Sequence, residues 1–314
     1  MRGFDRIVFF GTPEFAIPSL DALVAAGRTP ILVVSRPARP GGRGRKLIEP
    51  PVAARARELG IPVAQPEKVR APEFLERLRS STPDLAVVVA FGQIFPRALL
   101  ELPPAGCVNV HASLLPRWRG AAPIQAAIAA GDAETGVSIQ QMAEGLDSGP
   151  VYAARRTPIG DDETAGELSQ RLARLGAELL LEVLPALEAE LLAAAPQDES
   201  EVTLAPKLLS PQRLDPARPA AELSRLARAA TPEPGAFLET RNGERLKLLR
   251  VHAVSERTAQ MPGTVVRIFG EDLAIAAGDG GVLALARVQR AGGRPVSGRD
   301  LANGLRLAPG DRFA

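Results

Sequence analysis

The sequence is poor in cysteine and in aromatic residues. Cys107 is the single cysteine among 314 residues, which excludes a disulfide within the chain and a metal site built from several thiolates. Aromatic residues make up 4% of the chain, with one Trp and one Tyr. We therefore do not expect base stacking to dominate any contact with nucleic acid.

Long apolar runs are also missing. No stretch approaches the roughly 20 apolar residues that a membrane-spanning helix needs, so no membrane partner is expected. The first residues pass directly into a strand-like segment at Ile7, which predicts that there is no secretory signal peptide. Together with the single cysteine, these features predict a protein of the reducing cytoplasm.

A third absence concerns the turn after the first predicted strand, residues 6–10. Of the G-x-G-x-x-G fingerprint for dinucleotides only Gly11 is present, which counts against a nicotinamide-dependent oxidoreductase. The turn reads Gly11-Thr12-Pro13 instead. We expect Thr12 to cap a helix that starts at Pro13 and ends near Gly27.

The first two thirds of the chain alternate between apolar strands and helical segments. Strands are predicted at residues 31–35, 85–90 and 108–111, and two more, 135–142 and 151–156, follow each other directly. This order predicts an α/β fold with a doubly wound, mostly parallel sheet and a hairpin at one side. Polar and apolar residues alternate in the strand at 135–142, so we expect that strand to be half-exposed.

The character of the sequence changes after a long predicted helix at residues 163–195. A polar stretch follows and reads as a linker, and five short strands are then expected within residues 235–289. Asn242-Gly243 between two of these strands is a hairpin signal, and the whole pattern predicts a small β-barrel. The predicted divisions of the chain are a first domain at 1–195, a linker at 196–209 and a second domain at 210–314.

The C-terminal third is basic although the whole chain is nearly neutral. Residues 205–314 contain 17 Lys and Arg against 11 Asp and Glu. Residues 1–204 contain 21 Lys and Arg against 25 Asp and Glu. A basic domain suggests a polyanionic partner such as nucleic acid. A solvated surface in an arginine-rich chain would show the same excess, so charge alone leaves both interpretations open.

A second basic feature follows the strand at 31–35. Residues 36–46 combine five cations with several Gly and Pro residues and contain no acid. This composition predicts a long flexible loop that is neither helix nor strand. We expect it to contact phosphate, and a merely solvated loop is the alternative. The five cations are Arg36, Arg39, Arg43, Arg45 and Lys46.

Two polar residues lie in the predicted strand at 108–111, at the point where it ends. Asn109 and His111 alternate with valines, so they share one face at the carboxyl end of a strand, where ligands bind in open α/β sheets. Histidine suits proton transfer and an asparagine amide can donate to an oxyanion. A histidine at a strand end can also be structural, and Cys107 beside them is expected to be a small core residue.

Asp147 lies in a later loop, between Gly145 and Gly149. Its carboxylate could hold His111 in one tautomer and favour the charged imidazole. An aspartate in such a sequence is also a common turn residue. The neighbouring run Arg117-Trp118-Arg119 is open to two interpretations, since it could face a nucleic acid or Trp118 could close the loop against the sheet.

These segments resemble the methionyl-tRNA formyltransferase family, and the likeness covers nearly the whole chain. The central motifs are specific to formyl-folate transferases in general, whereas the basic segment and the C-terminal domain point to the tRNA enzymes among them. The resemblance implies a Rossmann-like formyltransferase domain followed by an OB-like β-barrel that binds tRNA. The matching segments are Phe10 to Phe15, Asn109-Val110-His111, Ser113 to Pro123 and Gly145 to Gly149.

The resemblance also implies a reaction, the transfer of a formyl group from 10-formyltetrahydrofolate to the α-amine of methionyl initiator tRNA. It assigns catalysis to Asn109, His111 and Asp147, and tRNA contact to the basic segment, with Arg43 as its key arginine. No metal, no tightly bound cofactor and a monomer are expected. The implied folate-binding residues are Phe91, Gly92, Gln93, Ile94, Ser113, Leu114, Leu115 and Pro116.

Two other functions remain possible from the sequence. A formyltransferase that acts on a small amine would use the same chemistry without the basic segment. A non-catalytic nucleic-acid-binding protein would explain the basic domain but would leave Asn109, His111 and Asp147 without a role.

Overall fold

The computed structural model describes residues 3–41 and 46–313, and the chain folds into two compact units. Unit 1 comprises Met1–Pro123, Thr135–Thr157 and Ser169–Ala205, and unit 2 comprises Ile124–Glu134, Pro158–Leu168 and Pro206–Ala314. The domain boundaries taken from the sequence stay a prediction. Within the described residues, no helix has the length and apolar character required to span a membrane.

Strands and helices alternate through the first half of the chain, and strands dominate the last third. The strands are β1 (Ile7–Gly11), β2 (Leu32–Val34), β3 (Arg39–Gly41), β4 (Lys46–Ile48), β5 (Val63–Ala64), β6 (Leu85–Val89), β7 (Cys107–His111), β8 (Arg119–Gly120), β9 (Glu134–Gln141), β10 (Val151–Pro158), β11 (Leu204–Ala205), β12 (Gln212–Arg213), β13 (Ala236–Glu239), β14 (Arg245–Arg257), β15 (Val265–Phe269), β16 (Asp272–Ala276), β17 (Gly281–Arg290) and β18 (Val296–Ser297). The helices are α1 (Ile17–Ala25), α2 (Pro51–Glu58), α3 (Pro72–Ser80), α4 (Arg97–Leu100), α5 (Pro123–Ala130), α6 (Ala165–Glu188), α7 (Ala220–Ala230) and α8 (Gly298–Leu305), with 3-10 turns at Glu14–Ala16 and Glu199–Glu201.

A seven-stranded sheet in the order β10-β9-β7-β6-β1-β2-β5 contains the predicted parallel strands. The pairs from β7 through β6, β1 and β2 to β5 are parallel, and β9 runs antiparallel to β7. The central strands β1 and β6 are buried at every residue, as expected for strands covered on both faces. The predicted α/β fold with a mostly parallel sheet is confirmed.

The strand predicted as half-exposed is buried instead, so that prediction is wrong. In β9 every residue from Thr135 to Gln140 is buried. The reason is long-range, because the loop after β7 covers the polar face of β9. Ser138 donates its hydroxyl to the carbonyl oxygen of Ser113 at 2.8 Å and accepts from the amide of Leu115 at 3.1 Å.

The first helix also starts differently from the prediction. A 3-10 turn precedes α1, and the residue that caps this turn is Pro13. The hydroxyl of Thr12 donates to the carbonyl oxygen of Phe91 at 3.0 Å, so it joins the ends of β1 and β6 and does not cap a helix. Phe91 itself packs edge-on against Phe10 and Phe95 in the core.

The basic segment contains strands, which corrects its prediction as a loop without strand structure. Arg39 pairs with Ile48 and Pro40 pairs with Leu47 in the antiparallel ribbon of β3 and β4. Pairing across the ribbon satisfies backbone groups that a solvated loop would leave to water. Leu47 and Ile48 are 71% and 55% exposed. The predicted cations Arg43 and Arg45 lie outside the described residues.

Unit 2 is built on a sheet in the order β12-β13-β14-β17-β16-β15, with β18 beside β17. All of these pairs except β12 with β13 are antiparallel, so the domain predicted as a small β-barrel is a C-terminal domain of antiparallel strands. Register shifts in β14 mark bulges, which bend a strand. Leucines of β14 and β17 pack with Leu223 of α7 and Leu301 of α8 in one core.

Candidate active site

The predicted catalytic residues of β7 lie in a polar row that crosses two strands. Asn109 is paired with Gln140 of β9, and His111 is paired with Ser138. Residues directly opposite each other in an antiparallel pair point to the same face of the sheet. Asn109 is half-buried and the other three are buried. The sheet therefore presents four polar side chains together, on the face that the loops after β7 and β9 cover.

His111 is oriented by a backbone carbonyl. Its Nε2 lies 3.1 Å from the carbonyl oxygen of Trp118, and the side chain is 6% exposed. A carbonyl oxygen can only accept a hydrogen bond, so Nε2 carries the proton in this contact. In the neutral imidazole Nδ1 is then the acceptor nitrogen, and it lies 3.7 Å from Oδ2 of Asp147.

The carboxylate of Asp147 is held by two other groups. Its Oδ2 accepts the amide of Gly120 at 2.8 Å, and its Oδ1 accepts Nε2 of Gln140 at 3.2 Å. At 3.7 Å the carboxylate is too far from His111 for a hydrogen bond but close enough to stabilise an imidazolium. The prediction that Asp147 sets the tautomer of His111 is therefore replaced, because Trp118 does so.

Asn109 is the fourth side chain of the row. Among the residues that the structure describes, none forms a hydrogen bond with its side-chain amide. A free amide next to a base can donate to an oxygen that becomes negative during a reaction. Within the described ranges, no group of three His, Cys, Asp or Glu residues is placed to hold a metal ion.

Cys107 begins the same strand but is chemically inert. It is 1% exposed, and burial raises the pKa of its thiol to about 12. A thiol with such a pKa is not ionised at neutral pH and cannot act as a nucleophile. The expectation that Cys107 is a core residue agrees with its place among the apolar side chains of unit 1.

The residues predicted to bind folate fall into two groups. Phe91 is 2% exposed and packs in the aromatic cluster, and Ser113 is fully buried, with its hydroxyl donating to the carbonyl oxygen of Arg117 at 2.6 Å. Both side chains are buried and support the conformation of their loops from inside the protein. Gln93 accepts the amide of Val69 at 3.0 Å and so anchors the loop after β6. The remaining predicted residues have at least partly accessible surface: Gly92, Ile94, Leu114, Leu115 and Pro116.

The basic residues predicted to bind tRNA also differ in their surroundings. Arg39 is exposed on the β3–β4 ribbon. Arg36 is half-buried, and its guanidinium lies 3.6 Å from the position that a Cβ on Gly92 would occupy. It therefore lies beside the loop predicted for folate. Lys46 belongs to β4, and its side chain, like Arg43 and Arg45, is not described.

In the run Arg117-Trp118-Arg119, the side chain of Arg119 points into the protein. Arg119 is 5% exposed, donates to the side chain of Gln197 at 3.0 Å and makes a bidentate pair with Glu199. Arg117 stacks over the ring of Trp118 at 4.5 Å. Arg119 therefore cannot be offered to a nucleic acid in this arrangement.

The segment that sequence reasoning treated as a linker takes part in this site. Nε2 of Gln197 donates to the carbonyl oxygens of both Asp147 and Gly149, at 2.8 and 2.7 Å. The hydroxyl of Thr203 accepts the amide of Trp118 at 2.9 Å, and β11 pairs with β8. Residues 197–205 thus fix the loops that carry Asp147 and the carbonyl of Trp118. No local sequence signal marks contacts across 48 to 85 residues.

The chain matches two sequence profiles of one family. Residues 5–184 match the profile described as formyl transferase, and residues 211–306 match the profile described as formyl transferase, C-terminal domain. A methionyl-tRNA formyltransferase from Halorhodospira halophila is 50% identical over 308 residues, which cover 98% of both chains.

Solved structures share the fold at low sequence identity. HypX from Aquifex aeolicus, solved in complex with tetrahydrofolic acid, superposes with a TM-score of 0.67 at 17% identity, over 98% of this chain and 49% of that chain. The N-formyltransferase from Helicobacter canadensis, solved with folinic acid and dTDP-3-aminofucose, superposes with a TM-score of 0.65 at 16% identity, over 89% of this chain and 98% of that chain. These likenesses show the fold.

Proposed function

The chain belongs to the formyl transferase family, and on this premise we propose that it transfers a formyl group from 10-formyltetrahydrofolate to the α-amine of methionyl initiator tRNA. The observation that carries the chemistry is the position of His111, whose Nε2 contacts the carbonyl oxygen of Trp118 and whose Nδ1 lies 3.7 Å from the Asp147 carboxylate. The methionyl-tRNA formyltransferase from Halorhodospira halophila, 50% identical over nearly its full length, supports methionyl-tRNA as the substrate.

The reaction needs a base and an oxyanion donor. The amine attacks the formyl carbon, a new C–N bond forms, and the carbonyl oxygen becomes negative. Nδ1 of His111 takes the proton from the attacking amine, and Asp147 stabilises the resulting imidazolium. The amide of Asn109 donates to the oxyanion. When the bond between the formyl carbon and the folate nitrogen breaks, the proton returns to that nitrogen and tetrahydrofolate leaves.

We assign the folate to the loops on either side of this row. HypX was solved with tetrahydrofolic acid and the Helicobacter canadensis enzyme with folinic acid, which supports a folate substrate. Leu114, Leu115 and Pro116 offer apolar surface beside His111, and Gly92 and Ile94 offer it after β6. Phe91, Gln93 and Ser113 support these loops. The folate is a substrate that is consumed, not a resident cofactor.

We assign the tRNA to the basic surfaces. Residues 36–46 contain the cations Arg36, Arg39, Arg43, Arg45 and Lys46, of which Arg39 is exposed on the β3–β4 ribbon, and the sequence of unit 2 is rich in arginine. Such surfaces suit phosphate contacts that are independent of sequence. In keeping with a role in translation initiation, we place the protein in the cytoplasm and treat it as a monomer.

A formyltransferase of small amines is the closest rival, since the Helicobacter canadensis structure contains an amino sugar nucleotide. The test is formyl transfer to methionyl initiator tRNA, measured at several salt concentrations. KM for tRNA should rise steeply with salt, because phosphate contacts release counterions. Failure to formylate the tRNA, together with turnover of a sugar amine, would favour the rival.

A further inference from the structure

Gln140 is a buried polar residue that the proposed reaction does not use. It is 1% exposed and lies in β9, directly opposite Asn109. Its Nε2 donates to Oδ1 of Asp147 at 3.2 Å. Its Oε1 is buried and has no hydrogen-bond partner. The side chain thus satisfies Asp147 and leaves half of its own amide unsatisfied.

The chemistry of Asp147 fixes this orientation. An ionised carboxylate can only accept, so Gln140 must present its NH2 group to Asp147. That choice turns Oε1 to the opposite side, where the described residues offer no donor. A buried acceptor without a partner lowers the stability of the folded state. An apolar side chain of similar length would avoid this cost.

We propose that Gln140 is a positioning residue for formyl transfer, which holds the Asp147 carboxylate toward His111 at the expense of folding stability. Asp147 lies in a strained loop, with a backbone φ of +46°, and its two carboxylate oxygens are held from different elements. Gly120 binds Oδ2, the oxygen near His111, and Gln140 binds Oδ1. Without Gln140 the carboxyl group can rotate about its remaining hydrogen bond. The inference rests on the proposed function of Asp147.

Gln140→Met separates activity from stability, because kcat should fall while the melting temperature should not. Methionine fills similar space and has neither the donor nor the unsatisfied oxygen. We expect kcat to fall roughly 10-fold, as for loss of one hydrogen bond to a charged group. KM for the folate and for the tRNA should not change. The melting temperature should stay level or rise by about 2–4 °C, because the unsatisfied acceptor is gone.

Gln140→Glu tests the same contact by pH. At neutral pH it places a second carboxylate against Asp147, and kcat should fall further than in Gln140→Met. At lower pH the new carboxyl group can be protonated and can donate to Asp147 as the amide does. The ratio of its kcat to that of the wild type should therefore increase as the pH is lowered. A purely structural role gives no such recovery.

Gln141→Met is the matched control, since Gln141 is the next residue of β9, is exposed and accepts from Tyr152. It should keep wild-type kcat. The wild-type enzyme is assayed first with charged initiator tRNA, and its inactivity would reject the proposed function itself. If the wild type is active, an unchanged kcat in Gln140→Met would overturn the inference, and so would a parallel loss of folate affinity and melting temperature.

Discussion

The carbonyl oxygen of Trp118 lies 3.1 Å from Nε2 of His111 and decides which imidazole nitrogen can act as a base. Trp118 has a left-handed backbone, with φ +62°, and its amide donates to Thr203 at 2.9 Å. The backbone that presents this carbonyl is therefore held from a segment 85 residues away. Nδ1 is left free to accept a proton beside Asp147.

Replacing His111 tests the base directly. His111→Gln should lower kcat by roughly 100-fold or more, the range for loss of a general base. The affinity for tRNA, measured by gel shift, should be unchanged because His111 is buried and has little surface to offer to a tRNA. His252→Gln is the control, since that histidine also lies beside a carboxylate, Asp272, at 3.5 Å in unit 2. If His111→Gln and His252→Gln both had the kcat of the wild type, His111 would have no part in the mechanism.

Gln197 is predicted to matter for catalysis although the proposed reaction assigns no step to its side chain. Gln197→Ala removes two hydrogen bonds to the backbone of the Asp147 loop. We expect kcat to fall by roughly 30-fold, since each of the two bonds contributes about 1 kcal/mol to holding the loop. Ser200→Ala, which changes an exposed neighbour bonded only to Asp198, should have wild-type kcat. Identical rates for the two variants would argue against the role of this segment.

Local patterns were enough to predict the parallel sheet and the residues at its edge. The buried β-branched runs of β1 and β6 have few alternatives to a central strand, and polar Asn109 and His111 interrupt such a pattern at a strand end. Asp147 was recognised from the family motif around it. These features depend on neighbours within a few residues.

What could not be predicted depends on distant contacts. The alternation in β9 correctly indicated a strand, but only the covering loop makes Ser138 and Gln140 buried. Gln197 and Thr203 lie in a polar stretch that has the composition of a linker, and their partners are 48 to 85 residues away. In the basic segment, pairing of Arg39 with Ile48 overcame the poor strand propensity of Gly and Pro.

Arg43 provides a test of the tRNA assignment that is independent of the catalytic row. Arg43→Ala should raise KM for tRNA roughly 10-fold and reduce the slope of its salt dependence by about one phosphate contact. Folate binding should be unaffected. Arg79→Ala is the control, because Arg79 is an exposed arginine of α3 paired with Glu76. If Arg43→Ala used tRNA as well as the control does, the basic segment would have no part in recognition.

An ion pair far from the site predicts the acid sensitivity of unit 1. Arg28 donates to Oε2 of Glu188 at 2.7 Å and holds the pKa of that carboxyl below its usual value. Such a group contributes stability above its unfolded pKa of about 4.3, and loses it as the pH falls through the lower folded pKa. Glu188→Gln should therefore cost about 1 kcal/mol at neutral pH, and the difference from wild type should shrink at acidic pH.

The measurement is urea unfolding of the wild type and of Glu188→Gln, from neutral to acidic pH. The side chain of Glu188 is 16% exposed, whereas Glu76, in the pair with Arg79, is 66% exposed. Glu76→Gln should consequently change the free energy of unfolding by less than about 0.5 kcal/mol at every pH. A difference between wild type and Glu188→Gln that grew as the pH fell would have the wrong sign.

The most direct measurement compares methionyl initiator tRNA with methionyl elongator tRNA as formyl acceptors, with 10-formyltetrahydrofolate as the donor. Both carry the same amine, so a difference between them depends on recognition of the tRNA. The account predicts rapid formylation of the initiator, much slower formylation of the elongator, and release of one tetrahydrofolate for each formyl group transferred. Formylation of neither tRNA by the wild-type protein would contradict it.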